Sequence, residues 1–183
     1  MAYPFVESPH INRTEGRAID LIVIHTMEMD EKGETAENCA QWFRNPGAEV
    51  SAHYCVDANS IVQCVRDQDV AWAAPGANRD GLQIEHAGRA KQTGRDWSDA
   101  YSTAMLERSA TLVAGILYFL HSSAASAAER SSIAVEYASL QSRPVCFARP
   151  ACSIWSPSLF APGAAQATSW SRTHWTIELL SMQ

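Results

Sequence analysis

No Asp, Asn or Lys occurs after residue 99 of this 183-residue chain. Residues 121–183 hold a single Gly against 13 Ser and 12 Ala. The missing types are the ones that build turns and helix caps. The last third therefore lacks ordinary punctuation, and "HSSAASAAERSS" reads as low-complexity sequence. Charge splits at the same place. Residues 1–120 carry 10 basic and 17 acidic groups, whereas residues 121–183 carry four Arg and three Glu. The chain thus divides into a core, 1–120, and a divergent tail, 121–183. Two explanations stay open for the tail. It is a diverged but folded closure of the domain, or a shifted reading frame has replaced the native end; the composition change favours the second.

Other absences exclude function classes. The longest apolar stretch, residues 110–120, is too short to span a bilayer, so membrane insertion is not expected. The start, "MAYPFVESPH", has neither a basic region nor an apolar one, so no signal peptide is expected and synthesis is read as cytoplasmic. Net charge is −6 with no basic cluster, which argues against nucleic acid or an anionic membrane surface as partner. The five cysteines, Cys39, Cys55, Cys64, Cys146 and Cys152, are odd in number, which favours free thiols over a disulfide framework.

What remains is an apolar content of 46%, enough for one packed domain. Asp20–His25 is a continuous β-branched run, the pattern of a strand covered on both faces. Thr35 can N-cap a helix running to Phe43 and closed by Asn45-Pro46-Gly47. Val50–Val56 and Ile61–Val65 flank "DANS", a hairpin signal. Leu82–His86 alternates as a further strand. Ser102–Leu120 has apolar residues at helical spacing. The expected architecture is a mixed central β-sheet flanked by helices, class α/β.

Period-2 geometry puts His25 on one face with Val23 and Leu21, and Glu85 on one face with Gln83. A cleft at the strand ends could hold both. Taken singly, a strand-end His is more often structural than ligating, and a carboxylate in a strand is paired, exposed or functional, since unpaired burial is costly. His53 is a third polar residue within an apolar strand. Trp72 sits in "AWAAPGANRDG", a turn-rich loop.

The ordered segments "LIVIHTME", "SAHYCVDANSIVQCVRDQDVAWAAPG" and "GLQIEHAG" resemble the zinc-dependent N-acetylmuramoyl-L-alanine amidases. This is the type 2 amidase family, related to peptidoglycan-recognition proteins, and the nearest look is to endolysin amidase domains of phages of mycobacteria. The resemblance covers roughly residues 18–120. It implies that fold, a Zn2+ cofactor, and peptidoglycan as substrate, with a monomer acting on the cell wall after release. It also implies His25 as the first zinc ligand, Glu85 as general base, and His53, Tyr54 and Trp72 lining the cleft. Ala52 and Ala73 stand where some relatives have Tyr and His. The family's later His and Asp ligands have no clear counterpart. His174 is the best candidate, with Cys146 and Cys152 as further possibilities. If the tail does not complete the site, the alternatives are a non-catalytic peptidoglycan-binding module or a decayed prophage remnant.

Overall fold

A computed structural model of the chain describes residues 3–14, 16–93, 96–124, 166–170 and 174–178. Its frame is a six-stranded sheet in the order β4-β3-β6-β2-β8-β7. The strands are β2 (Leu21–Thr26), β3 (Tyr54–Val56), β4 (Ile61–Gln63), β6 (Gly81–His86), β7 (Gln166–Trp170) and β8 (His174–Glu178). Strands β3, β6 and β2 run parallel, while β4 and β8 pair antiparallel on either side of them. A second, two-stranded sheet joins β1 (Ile11–Asn12) to β5 (Val70–Ala71).

The apolar run read at 20–25 is the centre of this sheet. Ile22 and Val23 are fully buried, as a parallel strand covered on both faces requires. One face packs on α2 (Ala100–Ala124). There Ile22, Leu82, Ile84, Tyr54 and Val56 meet Met105, Leu112 and Ile116. The other face packs on α1 (Thr35–Phe43), where Cys55, Val62 and Cys64 meet Ala36, Cys39, Ala40 and Phe43. Cys39, Cys55 and Cys64 are all free thiols. Cys146 and Cys152 lie outside the described residues.

The composition change near residue 120 falls inside α2, not between elements. Residues 100–120 of α2 are long and apolar enough, by length and composition, to cross a membrane. Met105, Leu112 and Ile116 are nevertheless buried against the sheet, which is the position of a core helix.

Helix α1 starts differently from expectation. The capping position is Glu34, held in the left-handed region at φ 64° without a side-chain cap, and Thr35 is the first helical residue. Thr35 turns its hydroxyl back to the carbonyls of Asp30 and Lys32. The cap comes from far along the chain. Buried Asp57, in the β3–β4 hairpin, accepts from the N–H of Ala36 at 3.0 Å. The same carboxylate accepts from the N–H groups of Asn59 and Ser60 at 2.7 and 2.8 Å. A local Thr cap was the wrong reading because the hairpin carboxylate already serves the helix end, and negative charge there is favoured by the helix dipole.

Asp57→Ala strands the buried Ala36 N–H and releases the Asn59 and Ser60 donors. It should cost about 2 kcal/mol or more of unfolding free energy in urea titration, with little change for Thr35→Ser.

Candidate active site

The parallel register of β2 and β6 sets His25 beside Glu85 and Val23 beside Gln83. Directly opposed residues share a face, so the polar positions sorted by period-2 geometry do converge. A hydrogen bond confirms the shared face: His25 Nε2 lies 2.8 Å from Gln83 Oε1. On the far side of β2, residue 174 is the Cα partner of His25 in the antiparallel pairing with β8. Across β6, Cys55 is the partner of Glu85.

Glu85 is the unusual member. Its Oε2 is buried and accepts no hydrogen bond from the described residues. Burial, and then the nearby Glu28 carboxylate, push its pKa up from 4.5 to about 7. Glu28 moves the opposite way. It accepts from the Thr26 hydroxyl at 2.7 Å and the Ala90 N–H at 2.8 Å, and those bonds hold its pKa down. Two neighbouring carboxylates are thus pushed apart in acidity, a pattern found at acid–base sites. The loop bearing Glu28 is tied to the loop after β6 by the Met29–Gly88 bridge and the Asp30–Arg89 ion pair. Both loops rim the strand ends where His25 and Glu85 stand.

Of the other residues expected in the cleft, His53 bonds Gln83, while Tyr54 and Trp72 lie away from Glu85. His53 is fully buried. Its Nδ1 accepts from the Gln83 N–H at 2.9 Å, and its Nε2 lies 3.0 Å from the Asp69 carbonyl and 2.8 Å from Arg17 Nη2. Burial, and then the Arg17 guanidinium, lower its pKa to about 3. It is a neutral packing residue, not a cleft wall. Tyr54 pairs with Ile84, one step out of phase with Glu85, so it faces α2. Its hydroxyl donates to Asp67 at 2.7 Å, and burial first of all raises its pKa. Trp72 is half-exposed, but its carbonyl accepts from the N–H of Ser51, at the opposite end of the strands from Glu85. Its indole N–H donates to Asn12 at 2.9 Å, and its ring stacks near His10. His86, read as structural, faces α2, and burial holds its pKa down to about 4.

Sequence reasoning named Gln83 only as a face-mate of Glu85 and did not name Glu28. Gln83 is a fully buried polar residue in an apolar strand, and that intrusion was the available signal. Glu28 offered none, because its approach to Glu85 depends on loop geometry.

Among the described residues, no three His, Cys, Asp or Glu side chains are grouped to hold a metal ion. The imidazole of His25 is a donor type that zinc takes, and it would hold one position of such a site. Ligands from outside the described side chains are needed to complete it.

The arrangement defines a mixed α/β fold with a His–carboxylate pair at the ends of adjacent parallel strands. Residues 15–137, more than half of the chain, match the N-acetylmuramoyl-L-alanine amidase family, and the chain belongs to that family. It is 36% identical over 105 residues to N-acetylmuramoyl-L-alanine amidase A of Achromobacter lyticus, over 56% of this chain and 54% of that protein. The match thus spans about half the length of that relative. In fold the chain is similar to the catalytic domain of XlyA, with a TM-score of 0.50 and 17% identity, over 64% of this chain and 76% of that one. It is similarly related to the PlyG catalytic domain, with a TM-score of 0.50 and 19% identity, over 65% of this chain and 72% of that one.

The raised pKa of Glu85 makes a stability prediction for the metal-free protein. Below pH 4.5 the carboxyl is protonated in folded and unfolded states alike. As pH rises through about 7, the unfolded chain ionises first and the fold loses stability. Glu85→Gln removes that loss. In urea titrations the variant should gain about 2 kcal/mol on wild type between pH 5 and pH 8; equal pH dependence in both proteins would contradict the assignment.

Proposed function

We propose that this chain is a zinc-dependent endolysin-type amidase, hydrolysing the amide between the lactyl group of N-acetylmuramic acid and L-alanine in peptidoglycan. The observation that carries the reading is the buried Glu85 oxygen without a partner, one strand from His25, in a chain of the amidase family. His25 and His174 are the proposed zinc ligands. The β2–β8 register supports the second by setting residue 174 across from residue 25.

Zinc, when bound, lowers the pKa of a water toward about 7 and polarises the scissile carbonyl. Glu85 receives the water's proton at Oε2 and returns it to the leaving amine. Its lack of a donor among the described residues leaves the oxygen available to that water.

A second reading is a wall-binding module without catalysis. The absence of a three-ligand group among the described residues favours it. Under that reading the tail is the product of a shifted frame. Translating the gene downstream of about codon 120 in its other two frames should then reveal a His followed by an Asp-Pro-Gly turn.

Incubation with purified cell walls separates the readings. The amidase should release free stem peptides with new N-terminal alanine, and a chelator should abolish the release. Glu85→Gln should lower the rate by about 10²–10⁴-fold while wall binding persists. Wall binding without any release of stem peptides, in zinc-supplemented buffer, would leave only the second reading.

A further inference from the structure

Gln83 is fully buried on β6, between the strand end and the 72–80 loop. Its side-chain amide bridges two groups. Nε2 donates to the Ala77 carbonyl at 3.0 Å, and Oε1 faces His25 Nε2 at 2.8 Å. A backbone carbonyl can only accept, so the Ala77 contact fixes which end of the amide is nitrogen. The oxygen must then face His25, and His25 Nε2 must carry a proton. An imidazole protonated at Nε2 directs its Nδ1 lone pair to the other side of the ring.

An independent feature protects this bridge. A methyl group at Gly81 would stand 2.4 Å from the Ala77 carbonyl oxygen and 2.6 Å from Gln83 Nε2. Only glycine leaves room for the loop carbonyl and the amide to meet.

We infer that Gln83 is a positioning residue for His25, holding the imidazole with its proton on Nε2 so that Nδ1 is the nitrogen offered to a metal ion. The inference rests on the reading of His25 as a zinc ligand. Its physical basis is general: a ligating imidazole donates its second N–H to an acceptor that fixes its orientation and raises its basicity. Here the acceptor is neutral, and it is anchored in turn by a loop carbonyl. The ordering of the 72–80 loop is therefore linked to the geometry at His25.

Two measurements test this on the full-length protein. The first is long-range 1H–15N correlation of 15N-histidine-labelled, metal-free protein. It should show the His25 proton on Nε2, and added zinc should shift Nδ1. The second is zinc affinity by competition with a chromophoric chelator. Gln83→Leu should weaken zinc binding about 10–100-fold, whereas Gln83→Glu, which keeps an acceptor for His25 but sets an oxygen against the Ala77 carbonyl, should still hold the His25 proton on Nε2. Gly81→Ala leaves the Gln83 side chain intact, yet it should mix the two His25 tautomers and weaken zinc binding in the same direction.

A His25 proton on Nδ1 in the wild-type protein overturns the inference, whether or not Gln83→Leu folds. So does a folded Gln83→Leu with unchanged zinc affinity. A wild-type protein that takes up no zinc while keeping the Nε2 proton has a different meaning. It removes the metal reading and leaves the positioning by Gln83 standing.

Discussion

The parallel pairing of β2 with β6 is the constraint on which the rest of the site depends. It sets His25 against Glu85 and Val23 against Gln83. A slip of one residue would oppose His25 to Ile84 or His86 and put the carboxylate out of line. Packing pins the register, because Ile22, Leu82 and Ile84 must all reach the α2 layer. Turning either strand over would move those side chains toward α1 and bury the polar set against α2. The hydrophobic face and the chemical face are therefore fixed by a single register.

Polar burial is handled in two ways around this frame. Along β3 and its loops it is satisfied. Asp57 serves three backbone donors, His53 links β6 to the Asp69 loop, and Arg17 reaches the carbonyls of Asp67, Arg79 and Gly81. At the ends of β2 and β6 it is not, since Glu85 Oε2 accepts nothing from the described residues. A buried oxygen in that state costs on the order of 1–3 kcal/mol. Among the described residues the ring nitrogens of buried His86, on the α2 face, are in the same state.

Strands β2, β3, β4 and β6 and the two helices were legible in the sequence because each is written in a short-range pattern, whereas β1, β5, β7 and β8 were not read from it. Period-2 alternation marked β6, a β-branched run marked β2, and helical spacing marked α2. The same alternation correctly placed His25 with Val23 and Glu85 with Gln83. Residues judged by their neighbours in a motif fared differently. Tyr54 adjoins His53 in "SAHY", but adjacent strand residues face opposite ways, and its ring went to the α2 layer. Trp72 follows β5 in a loop whose backbone meets Ser51, at the far end of the strands. A motif orders residues along the chain without saying which end of the sheet each reaches.

By itself the sequence determined the type of each central element, the apolar faces that press them together, and the identities of His25 and Glu85 as polar residues at strand ends. These follow from local periodicity, which needs no knowledge of partners. Tertiary structure decided that Asp57 caps α1 from 21 residues away, that Glu28 approaches Glu85, and that Gln83 spans 58 residues in sequence to bond His25. Each of these is a contact between segments brought together only by strand order and register. Their energies belong to pairs of distant residues, and no pattern within one segment records them.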